Sequence, residues 1–410
     1  MLDVKFIREN PEKVKKGLKN RGLDPNVADR FLKLDEEWRK LTMGVDELRS
    51  KQKKLSKERK ISEAKKLKKK LVILEEKLKK AENERNKLLG DIPNIPAEDA
   101  PVGGEDAAVV VRSGGKKPNF KFKAQDHLTL GEQLDIIDVK HAAEAAGSRF
   151  SYLKGGAALL ELGLIQYAFE QLVKEGFEPV FPPAMIKPEM MRAMGKGKFV
   201  DDEEAFHLEK DNLYLIGSAE HTLGLLGKDH IFNLRDLPRK YAGFSTSFRR
   251  EAGSYGKDTK GILRVHQFDK IEQFIFCRSE NSEKELKGLV AMQEKLMKGL
   301  KLPYRIVEIA TGDMTWGDYH QFDIEAWLPS HGVYREMGSA SNTTDFQARG
   351  INARYRDEKN QLRFTHMLNA TGLAVGRTII AIIENYQTAK GTVKVPRVLQ
   401  KYMFGVTEIK

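Results

Sequence analysis

Between Phe248 and Glu272 the chain reads FRREAGSYGKDTKGILRVHQFDKIE, a stretch whose residue types could bind anions beside a planar ring. Arg249, Arg250 and Glu251 close an apolar run from Tyr241 to Phe248, and a second run spans Ile262 to Phe276. Gly253 to Gly261 contains three glycines, Asp258 and two lysines, which is turn and loop chemistry. The pattern predicts two antiparallel strands joined by a long basic loop. His266, Phe268, Lys270 and Glu272 alternate, so all four side chains are expected on one face of the second strand. A packed core would not tolerate those cations and carboxylates unpaired. They suit phosphates, a base and an amino acid held together. The competing reading is a solvated hairpin, but the charges converge near the loop rather than spreading along both strands.

Three further segments offer chemistry. LYLIGSAEHTL (213–223) is an apolar strand running into Gly217, Ser218, Ala219 and Glu220. A hydroxyl and a carboxylate two residues apart could hold a small amine, or Ser218 could simply cap a helix that carries Glu220. YREMGSASNTTDFQARG (334–350) places Glu336 and Ser339 after a strand. A carboxylate beside phosphates can hold Mg²⁺, directly or through water, the alternative being surface charge. HMLNATGLAVGRTIIAIIENYQ (366–387) reads as a strand joined to a helix through a turn at Asn369 to Gly372. Arg377 lies beside Gly372, Ala374 and Gly376 in an apolar helix, which is costly unless the guanidinium has an ion-pair partner or a phosphate ligand. Neither a Walker loop nor a dinucleotide glycine fingerprint is present, so phosphates would be held by side chains.

The elements that must position these residues are legible in outline. At 410 residues, 40% of them hydrophobic, the chain can form one large domain and a smaller one. Its net charge of +12 is concentrated in residues 51–80, where fourteen Lys/Arg face four Glu. A basic arm on a nearly neutral body fits nucleic acid, with a solvated coiled-coil surface as the alternative. Leu34, Leu41, Leu48 and Leu55 repeat every seven residues with Trp38 and Val45 between them, and Leu67, Leu71, Leu74, Leu78, Ala81 and Leu88 continue a second seam. An antiparallel hairpin lets each seam bury the other, with arms of about 40 to 50 Å. SKERKISEAKK between them has no Gly or Pro and is a poor turn signal.

Asp91 to Lys117 reads as a linker with an edge strand at Val109 to Val111, and Glu161 to Glu175 as an amphipathic helix closed by Gly176. GFEPVFPPAMI then reads as a strand ended by Pro182 and Pro183. Cys277 is the single cysteine, so no internal disulfide or cysteine zinc cluster can form. The N-terminus lacks a signal-peptide apolar region, and no segment approaches the roughly 18 apolar residues of a membrane span. These features predict a soluble, cytoplasmic chain.

The 248–272 stretch resembles motif 2 of class II aminoacyl-tRNA synthetases, and most closely that of bacterial-type seryl-tRNA synthetases. Their pattern FR-x-EAGS-x-G-x-DT-x-G-x-x-RVHQF-x-K-x-E is present at every fixed position. GLAVGRT-x-x-A-x-x-E-N-Y-Q resembles motif 3, and the long helix with its proline-punctuated strand resembles motif 1, the dimer interface of that class. MLDVKFIREN-P, the IPN-IP at Ile92 to Pro96 and VPRVLQKYM also look like that family.

The resemblance implies an α+β fold, an antiparallel-sheet catalytic domain preceded by an antiparallel coiled-coil arm. Expected boundaries are 1–100 for the tRNA-binding hairpin, 101–125 for a linker and 126–410 for the catalytic domain. It implies ATP-dependent activation of L-serine to seryl-adenylate and transfer to tRNA(Ser), and also to tRNA(Sec), by a homodimer using Mg²⁺ and no zinc. Arg249, Arg250, Glu251, Val265, Phe268, Glu336, Met337, Gly338, Ser339 and Arg377 would bind ATP. Among them Arg249, Glu251 and Arg377 would act in catalysis, and Glu336 and Ser339 would hold the metal. Ser218, Ala219, Glu220, Arg249, Glu272, Asn369 and Thr371 would bind serine, and the Gly253 to Gly261 loop would guide the tRNA acceptor end. Departures stand at Ser218 for the family's threonine and at Met337 and Gly338 within its usual REISSCSN. A paralogue activating a small amino acid for another acceptor, or an inactive RNA-binding scaffold, are the alternatives. The retained arm weighs against the first and the intact motif residues against the second.

Overall fold

The computed structural model describes residues 1–252 and 261–410, which divide into two compact units, Met1–Ile95 and Pro96–Lys410. The first holds four helices: α1 (Val4–Glu9), α2 (Pro11–Asn20), α3 (Asn26–Lys57) and α4 (Ile61–Gly90). Pro11 opens α2 at the position where its missing N–H costs nothing. The helix α1, which no sequence signal marked, is capped by Asp3, whose carboxylate accepts from the Lys5 N–H.

The hairpin expected from the two leucine seams is formed by α3 and α4. Phe31 and Val45 are buried on one helix, Leu71 and Ala81 on the other, and a Cβ on Gly44 would lie 3.2 Å from Leu74 Cδ2. The turn falls in the segment without Gly or Pro because Arg59 itself takes φ +55°. Arg59 and Lys60 donate back to Ser56 and Leu55, the Schellman arrangement usually built on glycine. At the base, buried Asp35 accepts from Arg8 (2.7 Å) and Arg85 (2.8 Å), so its charge is paired rather than stranded.

The second unit is built on an eight-stranded sheet. Its strands are β1 (Val109–Gly114), β2 (Glu178–Val180), β3 (Arg239–Phe248), β4 (Gln267–Cys277), β5 (Tyr304–Glu308), β6 (His320–Leu328), β7 (Val333–Asn342) and β8 (His366–Ala374). Their order is β1-β5-β6-β7-β8-β4-β3-β2, antiparallel throughout except for the β2–β3 pair at one edge. Helices α5 (Gly155–Lys174), α9 (Ser282–Gly299) and α11 (Val375–Asn385) cover one face. Leu164 and Leu172 from α5, Leu289 and Leu296 from α9 and Ile379 and Ile383 from α11 pack there on Ile271, Ile275, Leu368 and Ala370. The opposite face of β4 runs from Phe268, Lys270 and Glu272 to Phe274 and Phe276, which join a second apolar cluster with Leu223 and Met367. Polar and apolar halves of one strand face thus divide site from support.

Several local expectations are corrected. Asn369 to Gly372 is not a turn but part of β8, held by β4 and β7 on either side, with Phe274 opposite Asn369 and Ala340 opposite Ala370. Gly372 serves close approach instead, since a Cβ would lie 3.2 Å from the Ile271 carbonyl. Glu336 and Ser339 lie within β7 rather than after a strand. Arg249 to Glu251 follow β3 rather than ending it. The strand β4 starts at Gln267, because Ile262 is tied to His127 Nε2 (3.3 Å) instead of to a ladder.

Candidate active site

Two adjoining lobes open on the face of the sheet opposite the three covering helices. The larger, of about 350 Å³, is lined by Arg249, Glu251, Val265, Phe268, Gly338 and Arg377. The smaller, of about 260 Å³, is lined by Ser218, Glu220, Glu272, Ser339, Asn369 and Thr371. Arg249, Lys270, Glu336 and Thr371 belong to both. A cavity with two chambers and a shared cationic wall can hold two reactants with their reacting ends together.

The wall is fixed by local structure. Just past β3, the Arg249 N–H donates to the His266 carbonyl (3.0 Å), and its Nε donates to the Gly217 carbonyl (3.2 Å). The guanidinium carbon lies 5.5 Å from the Phe268 ring centre. Arg250, one residue on, turns away: its Nε donates to the Ala205 carbonyl and its guanidinium sits 4.5 Å from the Phe206 ring. It lines neither lobe. His266 also leaves the expected face, with its ring 5.5 Å from Phe150 and 5.9 Å from Phe206. Glu251 takes φ +52° and pairs with Arg264 at 3.2 Å. The Gly253 to Lys260 part of the expected acceptor-guiding loop lies outside the described residues.

The β6–β7 pair shifts register between Ile324 and Glu325, so that Met337 has no cross-strand partner. Met337 is buried in the main core although it borders the larger lobe. Gly338 faces Thr371 so closely that a Cβ would meet Thr371 Cβ at 2.4 Å. Arg377, in the first turn of α11, donates from Nη1 to the Glu336 carbonyl (3.0 Å) and pairs with its Oε1 (3.0 Å). That arginine holds the Glu336 carboxyl below the usual range, while burial, with Glu336 adding, pushes Asp323 on the neighbouring strand up to about 8.

In the smaller lobe Ser218 Oγ donates to Glu272 Oε2 (3.3 Å) and accepts from the Glu220 N–H (3.2 Å), so it serves both pocket and helix start. Lys270 Nζ lies 2.6 Å from Glu272 Oε2, yet burial still pushes that carboxyl upward. Burial works against ionising Glu220 too, but there Lys196 and the neighbouring groups, Gln347 among them, together outweigh it and the carboxyl is held down to about 2. Its Oε1 accepts from Lys196 (2.8 Å), Gln347 (2.8 Å) and Asn369 (3.2 Å). Neighbouring His221 is pushed down to about 3 by burial, and its neutral Nδ1 accepts from the Gly217 N–H (3.4 Å). Ala219 lines neither lobe and packs with Leu223 and Phe274.

Lys196, Gln347 and buried Asp318 were not marked by any motif. They come from three separate segments, and only the fold brings them together. A lysine flanked by Gly195 and Gly197 just past a helical stretch was the one available signal.

An antiparallel sheet with a nucleotide-sized chamber beside a small polar one is the arrangement of the class II aminoacyl-tRNA synthetases. The family described as tRNA synthetase class II core domain (G, H, P, S and T) matches residues 204–386. The seryl-tRNA synthetase N-terminal domain matches residues 1–96. A serine–tRNA ligase from Corynebacterium efficiens is 42% identical over 417 residues, covering 98% of each chain. The structure of seryl-tRNA synthetase from Pyrococcus horikoshii complexed with ATP superposes with a TM-score of 0.92 at 38% identity, covering 100% of this chain and 99% of that one. Cytoplasmic serine–tRNA ligase from Naegleria fowleri in complex with AMP gives 0.89 at 34% identity, with the same coverage. The chain belongs to the seryl-tRNA synthetase family.

Proposed function

We propose that this chain activates L-serine with ATP and transfers it to tRNA(Ser), and that tRNA(Sec) is charged by the same route. The observation that carries the reading is the pair of lobes meeting at Arg249. ATP occupies the larger, its base on Phe268 and near Glu251, its phosphates toward Arg249 and Arg377. Serine occupies the smaller, its amine and hydroxyl among Ser218, Glu220, Glu272 and Thr371. The serine carboxylate, already ionised, attacks the α-phosphorus in line; the bond to the bridging oxygen breaks and pyrophosphate leaves. Positioning and neutralisation of charge by the arginines carry the step, with no protein base. The terminal ribose hydroxyl of tRNA then takes the seryl group and AMP departs.

Magnesium fits the site: Glu336 is ionised and Ser339 offers a hydroxyl on the same strand, a hard-oxygen donor set. These two residues would hold it, and the bound ion supplies further neutralisation of phosphate charge. The proposed chemistry uses no zinc. The lysine-rich hairpin end fits the backbone of tRNA. A homodimer is supported by an exposed apolar patch where Phe181, 75% exposed, stacks on Phe169 of α5. Among the described residues no helix is long and apolar enough to cross a membrane, which suits a cytoplasmic enzyme.

The test is amino-acid-dependent ATP–pyrophosphate exchange with all twenty amino acids, followed by charging of tRNA(Ser) and tRNA(Sec). Exchange with serine alone is expected. Alanine, glycine or threonine in its place would overturn the pocket assignment, and exchange without charging would favour a non-tRNA acceptor.

A further inference from the structure

Lys196 enters the smaller lobe on a fixed backbone. Helix α6 (Pro188–Ala193) ends with Gly195 at φ +73°, the Gly195 N–H donating to Arg192 and the Lys196 N–H to Met191. This is a Schellman motif, in which a left-handed glycine turns the next residue back over the helix end. A side chain at Gly195 would also meet Phe346 at 3.0 Å. The lysine that follows is therefore aimed by the turn, with its side chain largely buried against Glu220.

Two of the carboxylates in this lobe each have a lysine of their own. Lys196 sits 2.8 Å from Glu220 Oε1, the oxygen that Gln347 and Asn369 also reach, and Lys270 sits 2.6 Å from Glu272 Oε2. Asp318, buried in the same wall, accepts from Ser341 Oγ at 2.7 Å. Without Lys196, Glu220 would be a desolvated acid that has lost its cation and is open to pairing with a cation that enters the lobe. A pocket shaped for serine cannot reject by size an amino acid that merely replaces the hydroxyl with an ammonium; rejection needs a like charge already in place.

We infer that Lys196 is a specificity-determining residue: by occupying Glu220 with a fixed ammonium it reserves the side-chain end of the lobe for a neutral hydroxyl and excludes a cationic side chain of serine's size. The inference rests on reading the smaller lobe as the serine pocket. The discriminating substrate is 2,3-diaminopropionate, which carries an amine where serine carries its hydroxyl.

The experiment is pyrophosphate exchange by the full chain and its Lys196→Met and Lys196→Gln variants, with serine and with 2,3-diaminopropionate. Thermal melts establish that each variant is folded. The wild type is expected to prefer serine. In both variants kcat/KM for 2,3-diaminopropionate should rise, serine should fall, and their ratio should drop by about tenfold or more. Should Lys196→Met fail to fold, Lys196→Gln, which retains a donor to Glu220, carries the comparison. An unchanged ratio, a parallel loss of both substrates in folded protein, or unfolding of both variants would overturn the inference and leave Lys196 a purely structural partner of Glu220. Absence of serine exchange in the wild type would instead overturn the pocket assignment beneath it.

Discussion

Arg377 Nη1 meets Glu336 twice, at its carboxylate and at its main-chain carbonyl, both 3.0 Å away. One guanidinium nitrogen thus ties the start of α11 to β7 where the two lobes meet. The sequence left two readings of this arginine open, an ion pair or a phosphate ligand. The ion pair is present, and the same group lines the larger lobe, so the two roles are compatible. Arg377→Ala removes a cation from the proposed phosphate region and strands Glu336. Exchange measured against ATP concentration should show kcat/KM for ATP down by about 10²- to 10³-fold, the cost of losing one well-placed charge-stabilising donor. Arg377→Lys should rescue little, because a point ammonium cannot reproduce the planar fork. Near-normal ATP dependence in either variant would remove Arg377 from the nucleotide site.

Gly338 and Thr371 face each other with no room between them. In Gly338→Ala the new methyl would overlap Thr371 Cβ at 2.4 Å and Oγ1 at 2.9 Å, so the threonine must move. Overpacking of this kind costs about 1–3 kcal/mol. The substitution should lower the melting temperature and, because Thr371 lines both lobes, raise KM for serine. A variant with a lowered Tm and an unmoved serine KM would detach Thr371 from substrate binding.

Ser218 keeps the hydroxyl of the family's threonine but not its methyl. That hydroxyl is engaged by Glu272 and by the Glu220 N–H, so its orientation is already set. Ser218→Thr adds a methyl to a buried site, worth about 0.8 kcal/mol where it fits, or roughly a fourfold lower KM for serine. Exchange at varied serine reads this directly. A raised KM would mean that the pocket has adapted around the smaller residue.

Legibility in the sequence followed the range of each interaction. The seams of α3 and α4 were visible because a heptad is a local pattern that only its own partner must match. The hairpin turn was not, because Arg59 adopts a glycine-like conformation under the constraint of the two helices it joins. Arg249, Phe268 and Glu272 could be found from their alternation with Lys270 around a turn-rich loop. His266 obeyed the same spacing and Arg250 adjoins Arg249, but both lie just outside the strands, where alternation no longer governs direction. Asn369 to Gly372 has turn composition, yet pairing on both sides of β8 overrode that local preference. Lys196 is the extreme case. Its importance lies wholly in Glu220, which only the folded chain brings to it.

Away from the lobes' shared wall, Glu161 on α5 offers a test of pH dependence. Burial, together with a hydrogen bond to Asp269 and that residue's charge, pushes its carboxyl up to about 7. The native state therefore keeps a proton that the unfolded chain releases at an ordinary carboxylate pH. The stability linked to Glu161 is complete below about 4.5, drains away as pH rises, and is spent above about 7. Glu161→Gln removes this dependence. Its Tm advantage over the wild type should grow from pH 4.5 to 7 and then level off, whereas a constant difference across that range would mean that the two carboxyls share no proton.

The end of the hairpin offers a test by salt. Lys65, Lys66, Lys68, Lys69 and Lys70 follow one another at the start of α4, with Glu63 the single acid in that helix's first turn. A helix repeats every 3.6 residues, so this run wraps around α4 rather than forming one stripe, and only part of it can meet a given phosphate backbone. Each lysine that neutralises a phosphate adds about 0.9 to the slope of log affinity against log salt. The Lys65→Glu, Lys66→Glu and Lys69→Glu triple variant should raise KM for tRNA(Ser) by about tenfold or more in low salt. It should also flatten the salt dependence by two to three units of slope, roughly one for each phosphate no longer neutralised. Pyrophosphate exchange, which needs no tRNA, serves as the internal comparison. Equal losses in exchange and in charging would point to damaged folding, and an unchanged salt slope would return these lysines to a solvated surface.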